Sequence, residues 1–464
     1  MSTKITFSDS KKDCINVHFA FEGEKSPAHP PFYGKKFEIQ YLPDKKLLFV
    51  GLGKKNEFNV DYYRRVSALA VKTASLQKIA CVHFSQKDLT EKEIVLVCEG
   101  ALLGNYTFDK YKTEKDKKYF LVKEISFLSY AKKFSNSLND ALFLCNNVYF
   151  VRDLVSENSD IVTPKFLETI SRKLAKKTRM KINVLREQQL TKLGFNLLMS
   201  VAKGSDNPPR VIVLEYTGDT SQIHEKVLLA GKGVTFDSGG LNIKNDTMKD
   251  MRMDMAGAAT VLGIMKSLSE LKIKRNVIGI IGCVENMPDG HAYKPGDVIK
   301  SYSGKTVENL NCDAEGRLVL ADVLSYGVKK YNPNLVLEFS TLTGNVVAAL
   351  GHFCAGFVTN SPEHAKIISK AGHDTYELVW QLPLFEEYRE LVKGERADLR
   401  SIAKNRDAGS IFGGAFLAEF VDNVPYVHVD IAGTAILEEP TMYLPKDGSG
   451  FGVRLGIEFL KNLK

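Results

Sequence analysis

The chain contains no Cys-x-x-Cys pair. Its seven cysteines (Cys14, Cys81, Cys98, Cys145, Cys283, Cys312 and Cys354) are odd in number and widely scattered. That pattern argues against a disulfide framework and against a cysteine zinc site, and it fits a reducing compartment. No apolar run reaches the ~20 residues that a membrane-spanning helix needs, and the longest, around 277–284 and 346–358, fall short. The first thirteen residues are polar and charged, without the apolar stretch of a secretory signal, so a cytoplasmic location is expected. Internal repeats and low-complexity tracts are missing too.

Charge of either sign is not in large excess. Lys and Arg number 63 against 55 Asp and Glu, a net +8, which is a weak reason to expect an anionic partner. The densest basic stretch, 172–181, holds six Lys or Arg residues, but it has helical spacing and reads as a solvated helix face. Neither nucleic acid nor a membrane is therefore the expected partner. At 44% hydrophobic and 25% charged residues, the composition is that of a globular protein, which excludes wholesale disorder and collagen-like folds.

The 464 residues suffice for two domains. Residues 1–147 mix short apolar runs (46–53, 94–98) with helix-like stretches (62–76) and read as a small α/β domain, with an exposed loop at 109–118. Apolar residues at helical spacing over 141–155, then polar 156–160, mark a boundary. Residues 148–464 alternate strand candidates (211–214, 227–230, 277–284, 335–339, 426–431) with helical periods. The fold class expected is α/β, a smaller N-terminal domain plus a larger C-terminal catalytic domain with a mostly parallel central sheet. An active site then belongs beyond the carboxyl ends of the strands.

Three acidic segments follow strands in that larger domain. Gly231-Lys-Gly-Val-Thr-Phe-Asp-Ser-Gly-Gly240 places Lys232 and Asp237 in what reads as a loop after the 227–230 strand, and it spells neither GxGxxG nor GxxxxGK[ST]. Asp254, in Met251-Arg-Met-Asp-Met-Ala-Gly-Ala258, precedes a helix, where an isolated Asp would be an N-cap. In Asn311-Cys-Asp-Ala-Glu-Gly-Arg317, an extended chain would turn Asp313, Glu315 and Arg317 to one side. Carboxylates converging at one sheet edge repel unless cations neutralise them, and two divalent ions would do so. Lys232 and Lys244 could add an amine ligand and an electrophile.

Together with Glu285-Asn-Met-Pro288, Lys294-Pro-Gly-Asp297, Thr341-Leu-Thr-Gly344 and His428-Val-Asp-Ile-Ala-Gly433, these motifs resemble the leucyl aminopeptidase (cytosol aminopeptidase) family of dinuclear metallopeptidases. The similarity runs from about Val148 to the C-terminus. Cys312 departs from it, standing where Thr is usual. The resemblance implies that Asp237, Asp313 and Glu315 hold one metal, and that Lys232, Asp237, Asp254 and Glu315 hold the second. It assigns Lys244 to polarising the scissile carbonyl and Arg317 to holding a bicarbonate that acts as general base. Met251, Asn311, Thr341, Leu342 and Gly344 would surround the substrate, an N-terminal Leu or other apolar residue. The cofactors implied are two divalent ions per subunit, Zn²⁺ with Mn²⁺, Co²⁺ or Mg²⁺ at the exchangeable site. The assembly implied is a homohexamer acting on peptides with a free N-terminus. The rival reading is a catalytically idle scaffold or nucleic-acid-binding protein of the same fold.

Overall fold

A computed structural model describes residues 3–24, 31–114, 119–405 and 407–463. The chain divides into two compact units, one formed by Met1–Tyr149 with Leu437–Lys446 and the other by Phe150–Ile436 with Asp447–Lys464.

The first unit contains strands β1 (Lys4–Phe7), β2 (Ile15–Phe21), β3 (Ile39–Leu42), β4 (Leu47–Gly53), β5 (Cys81–Phe84) and β6 (Glu124–Phe127), in the order β1-β6-β5-β2-β4-β3. Only the β3–β4 pair is antiparallel, as expected where longer connections carry helices. Those helices are α1 (Tyr62–Leu76) and α2 (Glu91–Gly104), the latter opened by a capping box between Thr90 and Glu93. Helix α3 (Ser135–Ser156) contains the Tyr149–Phe150 division between the units. Of the loop expected at 109–118, residues 110–114 are exposed and irregular, and 115–118 lie outside the described residues.

One expectation is corrected here. Cys14 and Cys81 form a disulfide, with Cα atoms 4.5 Å apart. Parallel pairing of β2 with β5 sets Ile15 against Val82 and so brings two distant cysteines side by side. Their separation of 67 positions hid the pairing from the sequence. Cys98, Cys283, Cys312 and Cys354 are free thiols.

The second unit opens with α4 (Pro164–Thr178), started by a Thr163 cap and a proline in the first turn. In chain order follow β7 (Lys181–Arg186), α5 (Glu187–Leu193), α6 (Asn196–Ala202), β8 (Arg210–Thr217), β9 (Lys226–Asp237), α7 (Ala256–Glu270) and β10 (Asn276–Asn286). Next come β11 (Val298–Lys300), β12 (Thr306–Glu308), α8 (Glu315–Tyr331), β13 (Leu335–Ser340), α9 (Gly344–Leu350), β14 (Ala355–Thr359) and α10 (Pro362–Thr375). The chain continues through β15 (Val379–Gln381), α11 (Glu386–Glu390), β16 (Leu399–Arg400), α12 (Gly409–Ala418) and β17 (Tyr426–Asp430), and ends in α13 (Val453–Asn462).

Eight of these strands form one sheet in the order β15-β14-β17-β13-β9-β10-β8-β7. Its centre, β17-β13-β9-β10, is parallel, and β8, β7 and β14 join antiparallel. Burial on both faces explains why the central strands read as continuous apolar runs. Leu198, Leu228, Val319, Val323 and Phe416 belong to a core packed on one face under α6, α8 and α12. The parallel centre brings the carboxyl ends of β9, β10, β13 and β17 to one edge, with Asp237 opposite Asn286 and Ser340 opposite Asp430. On α4, Arg172, Lys173, Lys176 and Lys177 are exposed, as expected of a solvated face.

Candidate metal centre

Most of the glycine-rich segment that reads as a loop, 231–237, is strand. β9 runs unbroken through Asp237, so Lys232 sits inside the sheet, 3% exposed. The glycines mark close packing: a Cβ on Gly231 would lie 2.6 Å from the Gly257 carbonyl oxygen, and one on Gly233 3.3 Å from the Ala258 Cβ. Helix α7 thus presses on that face, and only glycine permits it. Lys232 points to the other face, where a Cβ on Gly316 at the start of α8 would lie 2.4 Å from the Lys232 Cε.

Asp254 is not a helix cap. It lies in a 3-10 turn over 248–255, Met255 holds the cap position, and no side chain caps α7. Its Oδ1 instead accepts from the Lys232 ammonium at 2.6 Å and from the Thr341 hydroxyl at 2.7 Å. Its Oδ2 is buried and has no hydrogen-bond partner.

The third segment is not extended either. Helix α8 begins at Glu315, which puts Glu315 and Arg317 in its first turn. Glu315 still meets the others: donor oxygens of Asp237, Asp313 and Glu315 lie within 4.8 Å of one another. Arg317 turns aside, donating to the Ser401 carbonyl at 2.9 Å with its guanidinium over the Phe412 ring.

Two ammonium groups thread the acids. Lys232 lies 2.6 Å from Asp254 and 2.8 Å from Glu315, and Lys244 lies 2.7 Å from Asp237 and 2.5 Å from Asp313. Burial opposes both charges, yet the surrounding carboxylates hold both lysines above the ordinary range. Burial and the Glu315 charge push Asp237 up to about 7. Burial also raises Asp254 well above the carboxylate range, against the pull of Lys232, and raises Asp313. Burial works upward on Glu315 as well, but Lys232 and Lys244 overcome it and hold the group at about 2. Arg317 is brought down to about 10 by burial. Two lysines cannot neutralise four carboxylates in so dry a space, which leaves the cluster electron-rich and suited to cations.

Beside Asp313 and Arg317 opens a cavity of about 190 Å³ lined by Asn311, Leu342, Gly344, Ile402 and Phe412 among others. Three residues expected around the substrate, Asn311, Leu342 and Gly344, thus line it. Met251, on the 3-10 turn, and Thr341, turned towards Asp254, are not among its lining residues. Asp430 supports the Leu342–Gly344 segment, accepting from the Leu342 N–H at 3.1 Å and the Thr343 hydroxyl at 2.6 Å.

Sequence reasoning passed over two carboxylate partners. One is the Thr341 hydroxyl on Asp254. The other is Asn286, whose side chain donates to Asp237 at 2.7 Å. The only signal for the second was its place in the Glu285–Pro288 motif.

A family profile described as the cytosol aminopeptidase family, catalytic domain, matches residues 149–457, and that of the same family's N-terminal domain matches residues 36–115. A probable cytosol aminopeptidase of Geotalea uraniireducens is 39% identical over 431 residues, covering 91% of this chain and 86% of the relative. Another, of Aquifex aeolicus, is 41% identical over 447 residues, covering 92% and 88%. Among solved structures, the bottromycin maturation enzyme BotP superposes with a TM-score of 0.87 at 30% identity, covering 97% of this chain and 99% of that one. The same enzyme has also been solved in complex with Mn.

Proposed function

The chain belongs to the cytosol aminopeptidase family, and from that premise we propose a metalloaminopeptidase that releases Leu and other apolar residues from the N-terminus of peptides. The observation that carries this reading is the gathering of Asp237, Asp313 and Glu315 around one point beside a buried Asp254 that keeps one oxygen unbonded. A buried carboxylate oxygen without a donor is costly, and a cation would satisfy it.

Asp237, Asp313 and Glu315 would hold one divalent ion. Lys232, as a neutral amine that gives up its proton to the adjacent dication's field, would hold the other together with Asp237, Asp254 and Glu315, so that Asp237 and Glu315 are shared. An oxygen-rich set with one amine and no thiolate suits Zn²⁺ and also Mn²⁺, Co²⁺ or Mg²⁺ at the more exchangeable position. A similar solved protein is titled as a complex with Mn. Bound divalent ions supply a water of lowered pKa and polarise a carbonyl.

The chain's own groups do the rest. Lys244, on the rim with 14% of its side chain exposed, is placed to stabilise negative charge developing on the scissile carbonyl oxygen. Arg317, buried at one wall of the cavity, offers a planar fork to a bicarbonate that would accept a proton as general base. Asn311, Leu342 and Gly344 bound a space with apolar walls at Ile402 and Phe412, which favours Leu or Met. The substrate's free α-amine would be taken at the ion site that these ligands form, so an exopeptidase results. The location proposed is the cytoplasm and the assembly a homohexamer; among the described residues no helix is long and apolar enough to cross a membrane.

The test is hydrolysis of leucyl amide by chelator-stripped protein reloaded with Zn²⁺, Mn²⁺, Co²⁺ or Mg²⁺, with metal content measured alongside. Activity should return with metal. Hydrolysis that ignores metal, or none with any of the four, would refute the reading.

A further inference from the structure

We propose that Asn286 is a positioning residue that locks two of the three ligand-bearing segments of the metal centre together. The inference rests on the metal centre proposed above. Asn286 ends β10, fully buried, directly opposite Asp237 at the end of β9. Its side-chain NH₂ makes two donations, to Asp237 Oδ1 at 2.7 Å and to the Cys312 carbonyl oxygen at 3.0 Å. These partners lie 49 and 26 positions away in sequence, and the second directly precedes Asp313. One amide therefore fixes the segment that carries Asp237 against the segment that carries Asp313 and Glu315.

The geometry also selects an oxygen. Asp237 Oδ1 accepts from both Asn286 and the Gly239 N–H at 2.9 Å, so Oδ2 is the atom left to face the other acids and Lys244. Holding one carboxylate oxygen in two hydrogen bonds presents the other as a single, oriented ligand. Such partners of ligands tune metal affinity by 10–100-fold.

Removing the Asn286 side chain leaves much of the surroundings intact. The Asn286 carbonyl still accepts from the Ser238 N–H at 3.0 Å and hydroxyl at 2.8 Å, and the Cys312 carbonyl keeps the Tyr293 hydroxyl at 2.8 Å. The experiment is titration of the chelator-stripped full chain with Mn²⁺ alone, reading stoichiometry and dissociation constants for wild type, Asn286→Ala, Asn286→Leu and Tyr293→Phe. Asn286→Leu keeps the bulk while dropping both donations, so it serves if the alanine variant loosens the fold. Both Asn286 variants should stay folded by circular dichroism and bind Mn²⁺ about 10–100-fold more weakly. Tyr293→Phe, which loses a bond to the same carbonyl but no hydrogen bond to a proposed ligand, should stay within about threefold. Mn²⁺ binding by a folded Asn286 variant within twofold of wild type would overturn the proposal and leave the metal centre standing. A wild-type chain that binds no Mn²⁺ would overturn both.

Discussion

The Thr341 hydroxyl and the Lys232 ammonium converge on one atom, Asp254 Oδ1, at 2.7 and 2.6 Å, and the Thr341 carbonyl accepts from that same ammonium at 3.0 Å. Thr341 thus stands behind a ligand and is 5% exposed. Thr341→Val keeps the shape and removes the hydroxyl. It should weaken metal binding or turnover by about 10–100-fold, with the ratio of kcat/KM for Leu against Met substrates unchanged. A shifted ratio would return Thr341 to the substrate pocket.

Asp313→Asn or Glu315→Gln should reduce turnover to background, because each removes a charge that offsets bound cations at a cluster whose donor oxygens lie within 4.8 Å. Metal analysis and thermal melting accompany the assay to separate lost ligation from lost fold. Either variant with near-native turnover and metal content would remove it from the ligand set.

The two lysines should respond differently. Lys244→Ala should keep both ions and lose about 10²–10³ in turnover, the usual consequence of deleting one oxyanion donor. Lys232→Ala should weaken one ion and recover in part at high Mn²⁺ by mass action. Gly316→Ala should resemble Lys232→Ala, since its new Cβ would sit 2.4 Å from the Lys232 Cε. Metal content and turnover across a Mn²⁺ titration decide the matter, and rescue of Lys244→Ala by excess metal would reverse the assignment.

Acid stability should depend on Glu168. It accepts from Arg172 at 2.9 Å, Arg186 at 2.6 Å and Arg210 at 2.9 Å. Burial works upward, but the three guanidinium groups hold the carboxyl at about 2. A carboxyl lowered on folding contributes stability above its unfolded pKa near 4.5, and that contribution fades as pH falls towards 2. It amounts to at most about 3 kcal/mol. Glu168→Gln should therefore lower the melting temperature at pH 7 and converge with wild type between pH 4.5 and 2. Parallel melting curves at both pH extremes would contradict this.

The sequence revealed those parts of the site that depend on local order. Acids following strands, and the spacing of Asp313 and Glu315, pointed to a candidate cation site because each lies in one short segment. Residues 231–237 read as a loop because glycine signals a turn unless the opposing helix is known, and here α7 requires it. Asn286 and Thr341 hid their partners for a different reason: each bonds a carboxylate 49 or 87 positions away, a relation fixed by strand register for Asn286 and by the turn before α7 meeting the end of β13 for Thr341. The Cys14–Cys81 bridge escaped in the same way, since parallel neighbours β2 and β5 are not neighbours in sequence.

Ten residues from the end of the chain, Leu437–Lys446, belong to the first compact unit. Within it, the Tyr443 hydroxyl donates to the buried Asp61 at 3.0 Å across 382 positions, and Lys72 donates to the Thr441 carbonyl at 2.7 Å. During synthesis at 5–20 residues per second, Asp61 would wait about 20–80 s for Tyr443 to be added. The first unit is thus begun with Asp61 already made and completed only after Tyr443 has been added.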